Sequence, residues 1–70
     1  MKSVIGKRIR YLRKSKGITQ EQMADLIGIS QSAYSRIEKG ESHSWSIHLE
    51  KIASILETKV ENIIITNEIN

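Results

Sequence analysis

The composition of this chain describes a short, mildly basic protein without covalent cross-links. Its 70 residues include 11 lysines and arginines against 8 acids, for a net charge of +3, and no cysteine or proline. This excludes a disulfide scaffold and a cysteine-ligated metal site, and without a long apolar run we expect neither a signal peptide nor a membrane span. We therefore expect one cytoplasmic domain over residues 1–70 that needs no metal, cofactor or small-molecule ligand.

The positive charge is concentrated near the N-terminus. Residues 1–16 contain seven bases and no acid, which sums to +7, whereas the rest of the chain contains four bases and eight acids, which sums to −4. A basic pole of this kind is typical of a surface that binds a polyanion. A solvated helix that only aids solubility gives the same pattern, so charge alone leaves both interpretations open.

The first predicted element is a helix over about residues 4–16, whose apolar stripe is Ile5, Ile9 and Leu12. Arg13 lies at the edge of this stripe. A buried arginine there needs an acidic partner, because an unpaired buried charge is very costly. A phosphate contact is the weaker interpretation of Arg13.

The stretch from Thr19 to Gly40 predicts two short helices joined by a tight turn, around which the rest of the chain is organised. Thr19 and Gln22 form a T-x-x-Q capping box at the start of the first helix, and Gly28 follows its last apolar residue. Ser30 caps the second helix and Gly40 ends it. Two helices of this length bury little surface alone, so other helices must pack behind them.

The second helix of this pair has a predicted outward face that is polar and free of acids. Amide, hydroxyl and guanidinium groups can bind base edges and phosphates when such a helix lies in a DNA major groove. The predicted contacts on this helix are Gln31, Ser32, Ala33, Ser35, Arg36 and Lys39. We expect Gln31 to bind adenine in bidentate fashion, Arg36 to contact guanine or a phosphate, and Lys39 to position the protein on the strand. Ala33 is expected to meet a thymine methyl group, and the two serines to serve either base edges or phosphates.

A fourth helix is predicted after a polar loop, capped by Ser44 and running to about residue 56. Its apolar stripe begins at Trp45, which we interpret as a core or lid residue rather than as a platform for a ligand. Glu57 follows this helix, so either a non-glycine residue takes a positive φ there or the turn differs from the usual one.

A fifth helix is predicted to open at Thr58, which forms a T-x-x-E capping box with Glu61. Beyond its start, Ile63, Ile65 and Ile69 supply more apolar surface than one small core needs. This excess predicts a contact with a second copy of the chain. A frayed tail and a short strand that pairs with itself in a partner are the alternatives.

No constellation of residues in the chain predicts catalysis or metal binding. Catalysis needs a base, a nucleophile and a pocket that excludes water, and the serines are better placed as caps and surface residues. His43 and His48 are five residues apart with no third ligand nearby, and no glycine-rich phosphate loop is present. We therefore expect that the chain is not an enzyme.

The chain resembles the Cro and phage-repressor type of helix-turn-helix, the XRE type, over roughly residues 5–64. The matching letters are IRYLRKSKGITQEQMADLIGISQSAYSRIEKG, then LEKIASIL and VENII. The resemblance implies a compact all-α bundle of five helices, lambda-repressor-like, with the helix-turn-helix over residues 19–40. It also implies an ion pair between Arg13 and Glu38, and a DNA phosphate contact by Gln20 at the start of the second helix. Leu26 departs from the family, where a charged residue is usual.

The function expected from these features is sequence-specific binding of double-stranded DNA by a small repressor, as a homodimer on a palindromic operator. Two alternatives of other classes remain. One is an antitoxin-like or other protein-interaction module on the same fold, which strong salt-dependent DNA binding would exclude as the sole role. The other is a structural or immunity-type small protein, which would show no preference among DNA sequences.

Overall fold

The computed structural model describes residues 2–64, with side chains from Val4 onward. Within this range the chain forms five α-helices and one 3-10 turn, and no strand. The elements are α1 (Lys2–Ser15), α2 (Gln20–Ile27), α3 (Gln31–Lys39), a 3-10 turn (Ser44–Ser46), α4 (Leu49–Ile55) and α5 (Val60–Ile64). The prediction of an all-α, five-helix architecture is confirmed.

Local hydrogen bonds and one left-handed glycine set both ends of α2 and the start of α3. The Thr19 hydroxyl accepts from the Gln22 backbone N–H at 3.0 Å, and the Gln22 amide oxygen accepts from the Thr19 N–H at 2.9 Å, so the predicted capping box forms. Gly28 ends α2 with a φ of 94°, a left-handed conformation that glycine adopts without steric cost. The Ser30 hydroxyl then accepts from the Ala33 N–H at 3.1 Å and starts α3. These caps fix where the two helices begin and end.

The core lies between the helix-turn-helix and the other three helices, with α1 and α2 both packed on α3. Its members come from every α-helix: Ile5, Ile9, Met23, Ala24, Ile27, Tyr34, Ile37, Leu49, Ile52, Ala53, Leu56 and Ile63. Because α3 contacts this core along one side only, its other side is left to solvent. The described residues include no helix long and apolar enough to cross a membrane.

Gly6 allows α1 to cross α3 at unusually short distance. A Cβ atom at this position would lie 2.4 Å from the Glu38 carbonyl oxygen and 2.6 Å from that of Ile37. Any side chain at Gly6 would therefore displace backbone. The close approach places the first half of α1 directly against the last turn of α3.

The predicted start of the fourth helix was wrong. α4 begins at Leu49, and Ser44 belongs to the 3-10 turn that precedes it. The Ser42 hydroxyl accepts from the Ser44 N–H at 3.0 Å, which ties Ser44 to the loop instead of to the helix. Trp45 packs, partly buried, against the core, as expected of a core or lid residue. Glu57 has a φ of 56°. Of the two expected alternatives, a positive φ at this non-glycine residue is therefore the one observed.

Candidate nucleic-acid interface

The solvent side of α3 is polar, and the opposite side lies in the core. Tyr34, Ile37 and Glu38 are buried, which orients the helix. Of the predicted contact residues, Gln31, Ser32, Arg36 and Lys39 are exposed, and Ala33 and Ser35 are half-buried. At about 100° per residue, five of these six share one face, and Ala33 lies on the flank. The structure thus brings most of the predicted contacts to one acid-free surface.

A buried ion pair holds α3 to α1. Arg13 Nε donates to Glu38 Oε2 at 2.6 Å, and Arg13 Nη2 donates to Oε1 of the same carboxylate at 3.2 Å. Arg13 is 6% exposed and Glu38 is 5% exposed. Arg13 Nη1 also donates to the Ile18 carbonyl oxygen at 2.6 Å. This one side chain therefore links α1 both to α3 and to the loop that precedes α2. The pair that the resemblance implied is therefore present.

Glu38 also accepts hydrogen bonds from two neutral side chains. The Tyr34 hydroxyl donates to one carboxylate oxygen, and Gln20 Nε2 donates to the other at 3.0 Å. Burial raises the pKa of the Glu38 carboxyl, but the hydrogen bonds from Arg13, Tyr34 and Gln20 outweigh it, and the net pKa is lowered. Burial, reinforced by the hydrogen bond to Glu38, raises the pKa of Tyr34. Glu38 thus stays ionised while it binds groups from three helices.

Gln20 opens α2 and is half-buried, with its side-chain amide held by Glu38. The first N–H groups of a helix have no partner within the helix and favour an anion. Nothing in the sequence indicated the bond between Gln20 and Glu38, because it depends on how α2 and α3 pack. The phosphate contact of Gln20 stays a prediction.

A basic hollow of about 510 Å³ lies where α1, the start of α2 and the end of α3 meet. We call it the junction hollow. Its lining consists of Lys7, Arg10, Arg13, Gln20, Glu38 and Lys39. Its one acid, Glu38, is neutralised by Arg13, so the remaining lining is positive. Two of the predicted DNA contacts, Gln20 and Lys39, therefore share one surface that suits an anion.

The predicted dimer contact needs a correction. Ile63 is 0% exposed and belongs to the core of the chain, so its side chain offers no surface to a second copy. Its neighbour Ile64 is 37% exposed. Ile65 and Ile69 lie outside the described residues. In a run of three isoleucines the spacing alone does not say which one points inward.

The helix-turn-helix family model HTH_3 matches residues 9–63. The chain belongs to this XRE-type helix-turn-helix family. It is 41% identical over 59 residues to the cryptic phage CTXphi transcriptional repressor RstR of Vibrio cholerae, a match that covers 84% of this chain and 53% of the repressor. It is 36% identical over 58 residues to the uncharacterized HTH-type transcriptional regulator YazB of Bacillus subtilis, and the match covers 83% of this chain and 84% of YazB.

A solved structure shares the arrangement of helices. The crystal structure of the restriction-modification controller protein C.AhdI from Aeromonas hydrophila matches with a TM-score of 0.81 and 29% identity, over 89% of this chain and 94% of that one. This chain spans about half the length of RstR and about half the length of SinR of Bacillus subtilis.

Proposed function

We propose that this chain binds double-stranded DNA sequence-specifically and acts as a transcriptional repressor that occupies its operator. The exposed side of α3 carries the proposal, because it combines polar groups suited to bases and phosphates with an absence of acids. The Arg13–Glu38 pair holds that helix against α1. Membership of the HTH_3 family supports the same function.

α3 is proposed to lie in the major groove with its N-terminal end toward the bases. Gln31 is exposed at the first position of α3 and binds adenine N6 and N7 through its amide. Arg36, about 1.4 turns later, reaches either guanine or a phosphate. Ala33 meets a thymine methyl group from the flank of the helix. Replacement of Arg36 by alanine separates its two roles, since a base contact affects specificity and a phosphate contact affects salt dependence.

Gln20 and Lys39 are proposed to position the protein on the sugar–phosphate backbone. Gln20 offers the start of α2, and Lys39 offers an exposed ammonium group at the end of α3. Both line the junction hollow, so a phosphate seated there would contact both helices of the motif. Such contacts set the register of α3 in the groove without reading sequence themselves.

The repressor is proposed to act as a homodimer on a palindromic operator. Dimers of this motif read half-sites about one helical turn apart, roughly 34–36 Å or 10–10.5 bp. We assign the dimer contact to the C-terminal isoleucines. Ile64 at the end of α5 is partly exposed, and Ile65 and Ile69 follow it in the sequence.

Selection of bound duplexes from a random pool tests the proposal. We expect a symmetric site to be enriched, with half-site centres about 10 bp apart, against a control pool passed over the matrix without protein. Enrichment of a single asymmetric half-site would contradict the dimer. A bound fraction with no sequence enrichment would contradict specific recognition.

An antitoxin-like role is the second candidate, and one apolar feature favours it. Leu26 on the solvent side of α2 is 56% exposed, and it lines a hollow of about 530 Å³ together with Ile18 and Asp25. A protein partner bound there would leave α3 uncovered, so this role is compatible with DNA binding. Absence of salt-dependent binding to duplex DNA would favour it over repression.

A further inference from the structure

α1 carries a row of basic side chains outside the helix-turn-helix. Lys7, Arg10 and Lys14 are spaced at i, i+3 and i+7, with Tyr11 beside them, so all four share one face of the helix. We call these four residues the α1 stripe. All of them are exposed, and Tyr11 is 70% exposed.

The bases of the α1 stripe form no salt bridge with any side chain of residues 4–64. Other bases of this region are paired: Arg13 with Glu38 at 2.6 Å, and Lys16 with Glu57 at 2.8 Å. No acid occurs anywhere in α1. Like charges on one helix face repel each other and cost stability, and binding a polyanion relieves that repulsion.

The α1 stripe is continuous with the proposed DNA contacts of the motif. In the junction hollow, Lys7 and Arg10 lie beside Gln20 and Lys39. The same two bases line a second hollow, of about 340 Å³, together with Tyr11 and Lys14. Since Lys7 and Arg10 belong to both, one basic surface runs from the end of α3 along α1. The close approach at Gly6 brings the two helices together and so creates this continuity.

We propose that the α1 stripe is a second backbone-binding site, which binds phosphates of the same duplex beyond the groove that α3 occupies. This inference rests on the proposed function. From Lys7 to Lys14 the helix rises about 10 Å, at 1.5 Å per residue. One DNA strand carries a phosphate about every 3.4 Å along the duplex axis, so a stripe of this length laid along that axis covers the rise of about three phosphates. Tyr11 donates its hydroxyl to a phosphate oxygen at the same surface.

The salt dependence of DNA binding tests the α1 stripe. We compare the parent with the triple variant Lys7→Ala, Arg10→Ala, Lys14→Ala on the selected operator and on a scrambled duplex. Each lost phosphate contact reduces the slope of log K against log salt by about 0.9, so the triple variant is expected to lose about 2.7 per subunit on both duplexes. Its preference for the operator over scrambled DNA stays unchanged, because phosphate contacts carry no sequence information.

Single variants provide a matched control. Lys14 is the base of the α1 stripe that lies outside the junction hollow, so Lys14→Ala tests the extension along α1 alone, with an expected slope loss of about 0.9 per subunit. Lys59→Ala removes an equal charge from an exposed residue before α5, outside both hollows. Its slope is expected to equal that of the parent. Thermal melting of every variant checks that the fold is kept, and Lys14→Ala remains decisive if the triple variant is destabilised.

The outcomes separate this inference from the proposed function. Suppose that Lys14→Ala and the folded triple variant both have the salt slope of the parent, and that the parent still prefers the operator. This result would overturn the α1 stripe and leave specific recognition unaffected. If the variants lose salt slope but the parent binds operator and scrambled DNA equally well, the α1 stripe would be supported and specific recognition would be overturned. A parent that binds no duplex would overturn both. A change in melting temperature with unchanged slopes would assign the α1 stripe to stability alone.

Discussion

Arg13→Ala is expected to destabilise the protein severely. The substitution removes both bonds from Arg13 to the Glu38 carboxylate and the bond to the Ile18 carbonyl oxygen. Glu38, which is 5% exposed, keeps only the neutral donors Tyr34 and Gln20. Breaking a buried pair by removing one partner costs about 3–5 kcal/mol. At roughly 0.05–0.15 kcal/mol per residue, a chain of this size has a total stability of about 3.5–10 kcal/mol, so the loss is a large share of it.

Thermal and denaturant unfolding followed by circular dichroism measure the effect. Since 1 kcal/mol shifts the Tm of a small domain by about 4–8 °C, we expect Arg13→Ala to melt at least about 12 °C lower. The double variant Arg13→Met, Glu38→Leu is the control, because neither charge is then left alone. Its loss of stability is expected to be smaller than the sum of the losses measured for the two single variants. Part of the loss remains, about 1–3 kcal/mol, because the buried Tyr34 hydroxyl loses its acceptor.

The pH dependence distinguishes a buried unpaired charge from lost packing. In the parent, burial raises the pKa of Glu38, but hydrogen bonds from Arg13, Tyr34 and Gln20 lower it below its ordinary value of 4.5. Its contribution to stability is therefore complete above pH 4.5 and is lost as the pH falls through the lower folded-state pKa. In Arg13→Ala, burial acts without a charged partner and raises the pKa of Glu38. That variant should gain stability as the pH falls from neutral toward the ordinary pKa. An Arg13→Ala protein that melts within about two degrees of the parent, with the same pH trend, would refute the reasoning.

Three further predictions concern separate features. Gly6→Ala is expected to cost about 1–3 kcal/mol in thermal melting, because the new Cβ meets the Glu38 carbonyl oxygen at 2.4 Å; a stabilised variant, the ordinary result for Gly→Ala in a helix, would contradict the close approach. Lys39→Ala is expected to weaken all duplexes alike and to reduce the salt slope by about one per subunit, and a loss confined to the operator would contradict a phosphate contact. Ile65→Lys with Ile69→Lys is expected to weaken operator binding and leave helicity intact, and unchanged affinity for the full operator would contradict the C-terminal dimer contact.

The bounds of α2 and α3 could be predicted from the sequence because local hydrogen bonds set them. Thr19, Gln22 and Ser30 each bond to backbone or side chains within three residues, so their letters suffice. The start of α4 could not be predicted in the same way. Ser44 has the composition of a cap, but the neighbouring Ser42 competes for its N–H, and the helix begins at Leu49.

The features that depend on packing could not be predicted from the sequence. The bond from Gln20 to Glu38 and the close approach at Gly6 join residues 18 or more positions apart, and no local spacing marks them. The charge of α1 was visible as a basic pole, but its junction with Gln20 and Lys39 exists only in the folded chain. The burial of Ile63 could not be predicted either, because in a run of consecutive isoleucines the sequence does not show which side chain faces the core.

The comparison of Gln31→Ala with the parent on operator and scrambled duplexes tests sequence reading by α3 most directly. Gln31 is exposed at the start of α3, and no other element of residues 2–64 is assigned a base contact. We expect the variant to lose about 1–3 kcal/mol on the operator, to lose preference at one base pair per half-site, and to bind scrambled DNA as the parent does. An equal loss on operator and scrambled DNA would contradict the assignment of α3 as the helix that reads the sequence.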